Sequence, residues 1–488
     1  MNNILGYKEK YIYIISFLII VLYNSLLLIN TSLAYGIIFI PFLIVFILKP
    51  KLWIYFLAVY LPFETVILNF IPGDLVTIVR YGTEFFSYIV LIPLIFKYIR
   101  LGKRISLNKG DKFLLFFIAA CILTALINQV SIEIFTLGLR WLIRYVVVYC
   151  IIKLLDWNLI QIRRLIHFIL GIGFIVEVIG ILQYFFRGTL DQILAPKVLD
   201  LDFITIEVTQ ADSKFAIFST MGRYGEYGYL LTVITIMLLA KLFVGDKRTY
   251  TKIFMLLSVV SVLLCYARQV VLGLVIAFIL AALFMKELKI NKNKLIFSLL
   301  SGLIVVLLFI GFGNMSLGQG SINEGLSSRY FSMFSGQYLK DDFEGQGRLY
   351  FWTEVNGTFL STKPLLGYGV GMYGTRPAIQ YDTSVYENLG IPIKFSMDVY
   401  WTSILGQVGL IGVISLLGIY ISFYKLSINL YKKSKNNISR MYCLINIMLI
   451  IAVLFQSFFG SNLSDRYQAF YIWLFFGLYD HIYREVSK

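Results

Sequence analysis

Charge is what this chain has least of. Only 14% of its 488 residues are Asp, Glu, Lys or Arg, whereas 59% are hydrophobic, and the mean hydropathy is +0.80. A water-soluble globule of this length has no interior able to hide that apolar share, so a soluble fold is excluded. Histidine is nearly missing, with only His167 and His481 present. A metal site built on imidazole is therefore not expected. The four cysteines, Cys121, Cys150, Cys265 and Cys443, all sit inside apolar runs, which argues against a disulfide framework. The formal charge of +16 is no sign of nucleic acid here. In a membrane chain, the placement of Lys and Arg along the loops carries the information.

What the chain does have is apolar runs of roughly 20 residues, the length that crosses a bilayer as a helix. They recur from end to end, at 11–30, 33–48, 52–71, 78–97, 113–129, 138–155, 165–186, 225–244, 253–266, 269–286, 295–314, 397–424, 441–460 and 467–483. The expected fold is all-α, a polytopic integral membrane protein of about 14 spans. The run from Tyr11 to Asn30 is too long for a signal-peptide core, and no small-residue cleavage site follows it. It reads as the first span.

Two kinds of loop separate the spans. Those at 97–112, 245–252, 286–294 and 425–440 are short and basic, and the positive-inside rule puts them in the cytoplasm with both chain ends. The other side carries two long segments, 187–224 and 315–396, the latter before the twelfth span. Within it, "KPLLGYGVGMYG" (363–374) contains Gly369, Gly371 and Gly374 in the G-x-G-x-x-G spacing of a dinucleotide turn. That reading needs a strand before and a helix after. In an extracytoplasmic loop with neither, the glycines read as turns.

Arginines are conspicuous on the side where they should be scarce. Arg80, Arg140, Arg144, Arg223, Arg268 and Arg348 lie at or just beyond the outer ends of spans. Ionisable groups there point to function, and guanidinium forks grip phosphate oxygens in pairs. Structural alternatives stand beside that reading. Arg80 could pair with Glu84, Arg144 with Glu177, and Glu226 lies beside Arg223. Arg140 could snorkel to the headgroups. Arg140 and Arg144, four apart, are expected on one helix face.

Four stretches together resemble a family. "GRLYFWTEVNGTFLSTKPLLGYGVGMYG" (347–374), "YARQVVLGLVIAF" (266–278), "GRYGEYGYLL" (222–231) and "DVYWTSILGQVGLIG" (398–412) resemble motifs of the O-antigen ligase and O-antigen polymerase (Wzy-type) superfamily, in its order and on its side of the membrane. The sequence departs at one point: Asp398 and Val399 stand where the family has a His-Asn pair. The ligases depend on that histidine, so the departure favours a polymerase over a ligase.

The resemblance implies glycosyl transfer at the outer face of the bacterial cytoplasmic membrane, with no metal or cofactor. Donor and acceptor would be undecaprenyl-pyrophosphate-linked glycans, with a flippase and a chain-length regulator as candidate partners beside the bilayer itself. Asp398, Arg268 and Arg348 are the expected catalytic residues. Arg223, Arg140, Arg144, Arg80, Tyr350, Trp352 and Tyr400 are expected to bind substrate. Asp382 and Glu387 are competing bases in the same loop. The chain divides into N-terminal helices (1–212), a ligase/polymerase-like core (213–424, including the loop 315–396) and a C-terminal helical pair (425–488). A flippase is the rival class, but long loops on one side only and no visible internal repeat speak against it.

The charge distribution makes the topology testable. Cysteines placed at Ser321 and Ser384 should react with a membrane-impermeant thiol reagent on intact cells, and one at Ser106 only after permeabilisation. Labelling of Ser106 in intact cells would invert the arrangement.

Overall fold

The computed structural model describes residues 42–71, 73–102, 106–196, 216–285 and 336–487. Its helices are α1 (Pro50–Leu68), α2 (Gly73–Arg100), α3 (Lys109–Ile127), α4 (Ile132–Leu142), α5 (Val146–Leu154), α6 (Leu159–Phe185), α7 (Arg187–Leu194), α8 (Tyr224–Phe243), α9 (Thr249–Leu264) and α10 (Arg268–Met285). They continue with α11 (Gly336–Glu344), α12 (348–362), α13 (Arg376–Gln380), α14 (Ser384–Leu389), α15 (Tyr400–Lys433), α16 (Asn437–Gln456) and α17 (Arg466–Val486). No strand occurs among the described residues. The protein is an all-α polytopic membrane protein. Seven of these helices are long and apolar enough to cross a membrane, and the bent pair α4–α5 makes an eighth. The shorter apolar α9 and α10, and α17, occupy three more of the expected spans. The spans expected at 11–30 and 295–314, and most of 33–48, lie outside the described residues.

Local chemistry marks where helices start. Asn108 with Asp111, and Asn158 with Gln161, form reciprocal capping boxes at α3 and α6, each satisfying two amide groups that a helix start leaves open. One expected span is broken. The run at 138–155 is divided by a turn at residues 143–145, with Tyr145 in the left-handed region (φ 62°), and α4 and α5 meet at 61°.

Helices α8 and α16 are the most enclosed, with 83% and 72% of their apolar windows buried, against 33% for α2. They form the centre of the bundle. Gln456 of α16 donates to Thr232 of α8 (2.9 Å), and Gln468 of α17 donates to Gln456 (3.1 Å). In an apolar medium such bonds add directional glue to packing, at about 0.6 kcal/mol each.

Helix α15 is not continuous. Gly409 sits at φ 66° and ψ −164° inside it, which frees backbone groups on both sides of the break. The loop 363–374 satisfies them. Tyr368 N donates to Gly406 O (2.8 Å) and Gly369 N to Gln407 O (3.0 Å). In return Leu410 N donates to Pro364 O (2.8 Å) and Ile411 N to Leu365 O (3.3 Å). Gly371 N adds a bond to the Gln407 side chain (2.8 Å), and the same glycine lies so close to α4 that a Cβ on Gly138 would meet its Cα at 2.4 Å. The glycine run is thus the part of the large loop that plugs a broken helix.

At Gly409 a Cβ would fall 2.3 Å from the Leu365 carbonyl carbon, in a backbone region that side chains rarely adopt. Gly409→Ala should therefore release the plug. Hydrogen exchange at Tyr368 and Gly369 should accelerate and thermal stability fall, by about 1–3 kcal/mol for the strain alone. Unchanged exchange at both amides would show that the break does not hold the loop.

Candidate active site

Helix ends sort the charged side chains into two layers. One layer lies at the end that carries the large loop. There α12 begins at Arg348, passes through a π-helical turn over Phe351–Val355, and rests on the α16–α17 turn. Trp352 donates from Nε1 to Phe458 O (2.8 Å) and stacks on the Phe458 ring at 4.6 Å. Asp398 lies two residues before α15, behind a tight turn in which Asp398 N bonds Phe395 O (2.9 Å). The Arg348 guanidinium reaches the Asp398 carboxylate at 3.3 Å, with both side chains about 40% exposed. The two are joined to each other and still open to a ligand.

The competing carboxylates are otherwise engaged. Asp382 accepts from Ser384 N (2.9 Å) and Glu387 from the Thr383 hydroxyl, both closing local turns. Behind the Arg348–Asp398 pair, Gln269, next to Arg268 at the start of α10, donates to the Tyr229 hydroxyl (2.8 Å). Gly460 approaches both groups, and any Cβ there would lie 2.4 Å from that hydroxyl. Tyr229 feels the charges of Arg348, Asp398 and Asp465 together. The starts of α8 and α10, the α16–α17 turn and the loop pair therefore converge.

Arg140, Arg144 and Arg466 form a second, largely buried cluster at the same end. Glu84 on α2 binds Arg140 and lies 3.3 Å from Arg144 and 3.7 Å from Arg466. Arg466 also binds Glu64 of α1 and donates to the Arg80 backbone carbonyl (2.7 Å). Arg144 further donates to Ser464 O (2.9 Å). Arg140 lies 4.2 Å over the Tyr81 ring. Four helices and two turns are thus held by charge-assisted bonds, the strongest kind available.

Several expectations change in consequence. Arg140 and Arg144 do not share a helix face, because the α4–α5 break falls between them, yet both converge on Glu84. Glu84 is the partner of Arg140, Arg144 and Arg466, and Arg80 instead lies in the field of Glu64 and Glu226. Arg144 does not pair with Glu177, which is buried on α6 with neither carboxylate oxygen hydrogen-bonded among the described residues. Glu226, in the first turn of α8, is surrounded by the charges of Arg223, Arg80, Arg466 and Arg376.

Of the aromatic candidates, Tyr350 is half-buried beside Phe343 and Phe351, and Trp352 anchors α12. Tyr400 is only 1% exposed and packs against Trp141 and Trp401, with no face open to a ligand.

Sequence reasoning missed Glu64, Arg376, Arg466 and Asp465. Arg466 carries the same signal as Arg223, an arginine at the outer start of a span, and Glu64 is a carboxylate inside an apolar run. Asp465 caps α17 by accepting from Tyr467 N (3.0 Å) and Gln468 N (3.4 Å). Burial, with the Glu226 charge adding to it, raises its carboxyl above the ordinary aspartate range.

An all-α membrane bundle with an arginine-rich layer under one large loop, and among the described residues one open Arg–Asp pair within that layer, defines the class of protein. Residues 253–417 match the family model described as O-Antigen ligase. The match spans about a third of the chain and is consistent with the O-antigen ligase/polymerase superfamily. That stretch contains Arg268, Arg348 and Asp398. No curated protein matches the sequence.

The two clusters should respond differently to substitution. Removing the Glu84 charge leaves buried guanidinium groups uncompensated, so Glu84→Gln should lower stability by about 3–5 kcal/mol. Arg348→Ala, at a half-exposed pair, should change it by less than about 1 kcal/mol. Thermal unfolding of the two variants in detergent measures both. Equal losses would mean that the open pair is structural as well.

Proposed function

We propose that this protein polymerises undecaprenyl-pyrophosphate-linked oligosaccharide repeat units into a cell-surface polysaccharide at the outer face of the bacterial cytoplasmic membrane. The O-antigen ligase-type domain supports a role in polysaccharide assembly. The observation that carries the finer reading is the Arg348–Asp398 pair: a carboxylate able to act as base and a guanidinium able to hold phosphate, side by side and open to solvent.

In this mechanism the Asp398 carboxylate accepts the proton of an acceptor sugar hydroxyl. The hydroxyl oxygen forms the new bond to the donor's anomeric carbon while the bond from that carbon to the pyrophosphate oxygen breaks. Undecaprenyl pyrophosphate departs with the bonding electrons. Arg348 and Arg268, assisted by Arg223 and Arg80, stabilise the negative charge that grows on it, which is where preorganised donors contribute most. Arg140 and Arg144 act through the Glu84 cluster, holding the layer in place rather than meeting the substrate. Tyr350 offers a ring beside the pair for stacking on a sugar. A flippase would deliver the lipid-linked unit, and a chain-length regulator would act on the growing product.

Asp398 at the histidine position of the resembling family favours polymerase over ligase. Incubating purified protein with lipid-linked repeat units separates the two: a ladder of products is the polymerase outcome, and a single transfer to a foreign acceptor is the ligase outcome. Asp398→Asn keeps shape but removes basicity, so elongation should fall about a hundredfold to ten-thousandfold while the repeat unit still binds. Arg348→Lys should retain part of the activity and Arg348→Ala almost none, since a point charge does not reproduce the fork. Near-normal elongation by Asp398→Asn would remove the base assignment.

A further inference from the structure

At the end of the bundle opposite the large loop lies a cavity of about 430 Å³, lined by Lys51, Trp157, Asn158, Gln161, His481 and Arg484 together with Asp156 and Glu485. It sits where the start of α1, the α5–α6 turn and the last turns of α17 meet, and it shares no residue with the reacting layer. The geometry points to a binding site for the phosphate headgroup of an anionic phospholipid from the leaflet at that end.

Three observations carry this. The first is an orphan donor. Trp157 is 5% exposed and lines the cavity, and its indole Nε1–H has no hydrogen-bond partner among the described residues. Indole donates and cannot accept, and a buried donor of this kind calls for an acceptor oxygen.

The second is the set of cations held in place around it. Lys51 Nζ donates to the Gln161 side chain (2.8 Å) and to the Asp156 backbone carbonyl, and lies 5.1 Å over the Trp157 ring. Arg484 bonds His481 Nδ1 (2.7 Å) and lies 3.8 Å from Asp156. His481 is itself fixed through Nε2 to Ile152 O (2.8 Å). Lys51 and Arg484 balance Asp156 and Glu485 within the wall, and the exposed Lys49, Arg163 and Arg164 on the adjoining helix starts tip the surroundings to positive. A phosphate at Trp157, Lys51 and Arg484 would satisfy the orphan donor and take up the positive surplus of these surroundings.

The third is the apolar rim. Leu52, Ile160 and Tyr483, each adjacent in sequence to a lining residue, are exposed large apolar side chains, as is Leu48. Acyl chains attached to a headgroup in the cavity would lie along them. A pocket between helix ends set in basic surroundings is an arrangement that holds anionic lipid headgroups. A free phosphate has no use for the rim, so the lipid is the occupant.

The test uses the full chain in detergent and native mass spectrometry with phosphatidylglycerol, phosphatidylcholine or inorganic phosphate. The parent protein should retain one phosphatidylglycerol at least about tenfold better than phosphatidylcholine. Lys51→Gln should weaken that retention about tenfold, as for a lost charge-assisted bond, and Trp157→Phe severalfold. Arg440→Gln, a basic residue at the same end but outside the cavity, should leave it unchanged. Equal retention of the two lipids by the parent, which needs no variant to fold, overturns the proposal. Full retention by Lys51→Gln does so as well. Displacement of phosphatidylglycerol by inorganic phosphate would assign the cavity to a soluble anion and overturn the lipid as occupant.

Discussion

A backbone break inside a membrane helix leaves amide and carbonyl groups that lipid cannot satisfy, and the organisation of the loop end follows from how this protein answers that at Gly409. Free groups in an apolar medium cost several kcal/mol each, so non-helical backbone persists there only where protein covers it. The 363–374 loop supplies the cover, trading four backbone bonds with the two halves of α15. Once the plug is seated, the chain on either side of it has little freedom. α12 is drawn over the α16–α17 turn, the segment after the plug returns to α15 at Asp398, and Arg348 meets Asp398 across the space between.

Charge at that end is divided between two tasks. Arg140, Arg144 and Arg466 are bound to Glu64 and Glu84 in a largely buried layer, where they join α1, α2, α4 and α17. Arg348 keeps roughly two-fifths of its side chain exposed beside Asp398. A buried, paired guanidinium is a brace, because displacing its carboxylate would strand a charge. A half-exposed pair can exchange one partner for a ligand at small cost. The brace therefore fixes the helix ends around the open pair without being free to exchange partners itself.

The opposite end has its own charged layer, and its groups are similarly braced: Lys153 binds Asp111 and lies 3.1 Å from Asp480. Trp157 lines the cavity there, and its N–H has no acceptor among the described residues. A lipid phosphate at that position would clamp the ends of α1, α6 and α17, the helices that at their other ends carry or adjoin Glu64 and Arg466.

The amino-acid sequence by itself determined the membrane class, the positions of most spans and the set of arginines worth attention. These follow from composition, run length and charge, which act locally and survive without knowledge of neighbours. It also marked Asp398 and Arg348, through motifs whose order along the chain is visible. What only the tertiary structure decided is who meets whom. Arg144 and Glu84 are 60 residues apart and Arg466 and Glu64 are 402 apart, so no spacing rule pairs them. The split of one apolar run into α4 and α5 is invisible to hydropathy, because the break falls inside a continuous apolar stretch. The glycine run showed its residue type in the sequence but not its purpose, since that purpose is a complementary fit to a break in a helix that begins 26 residues after it ends. Partner choice among charged groups is set by distance after folding, and distance is the one quantity that a linear pattern does not contain.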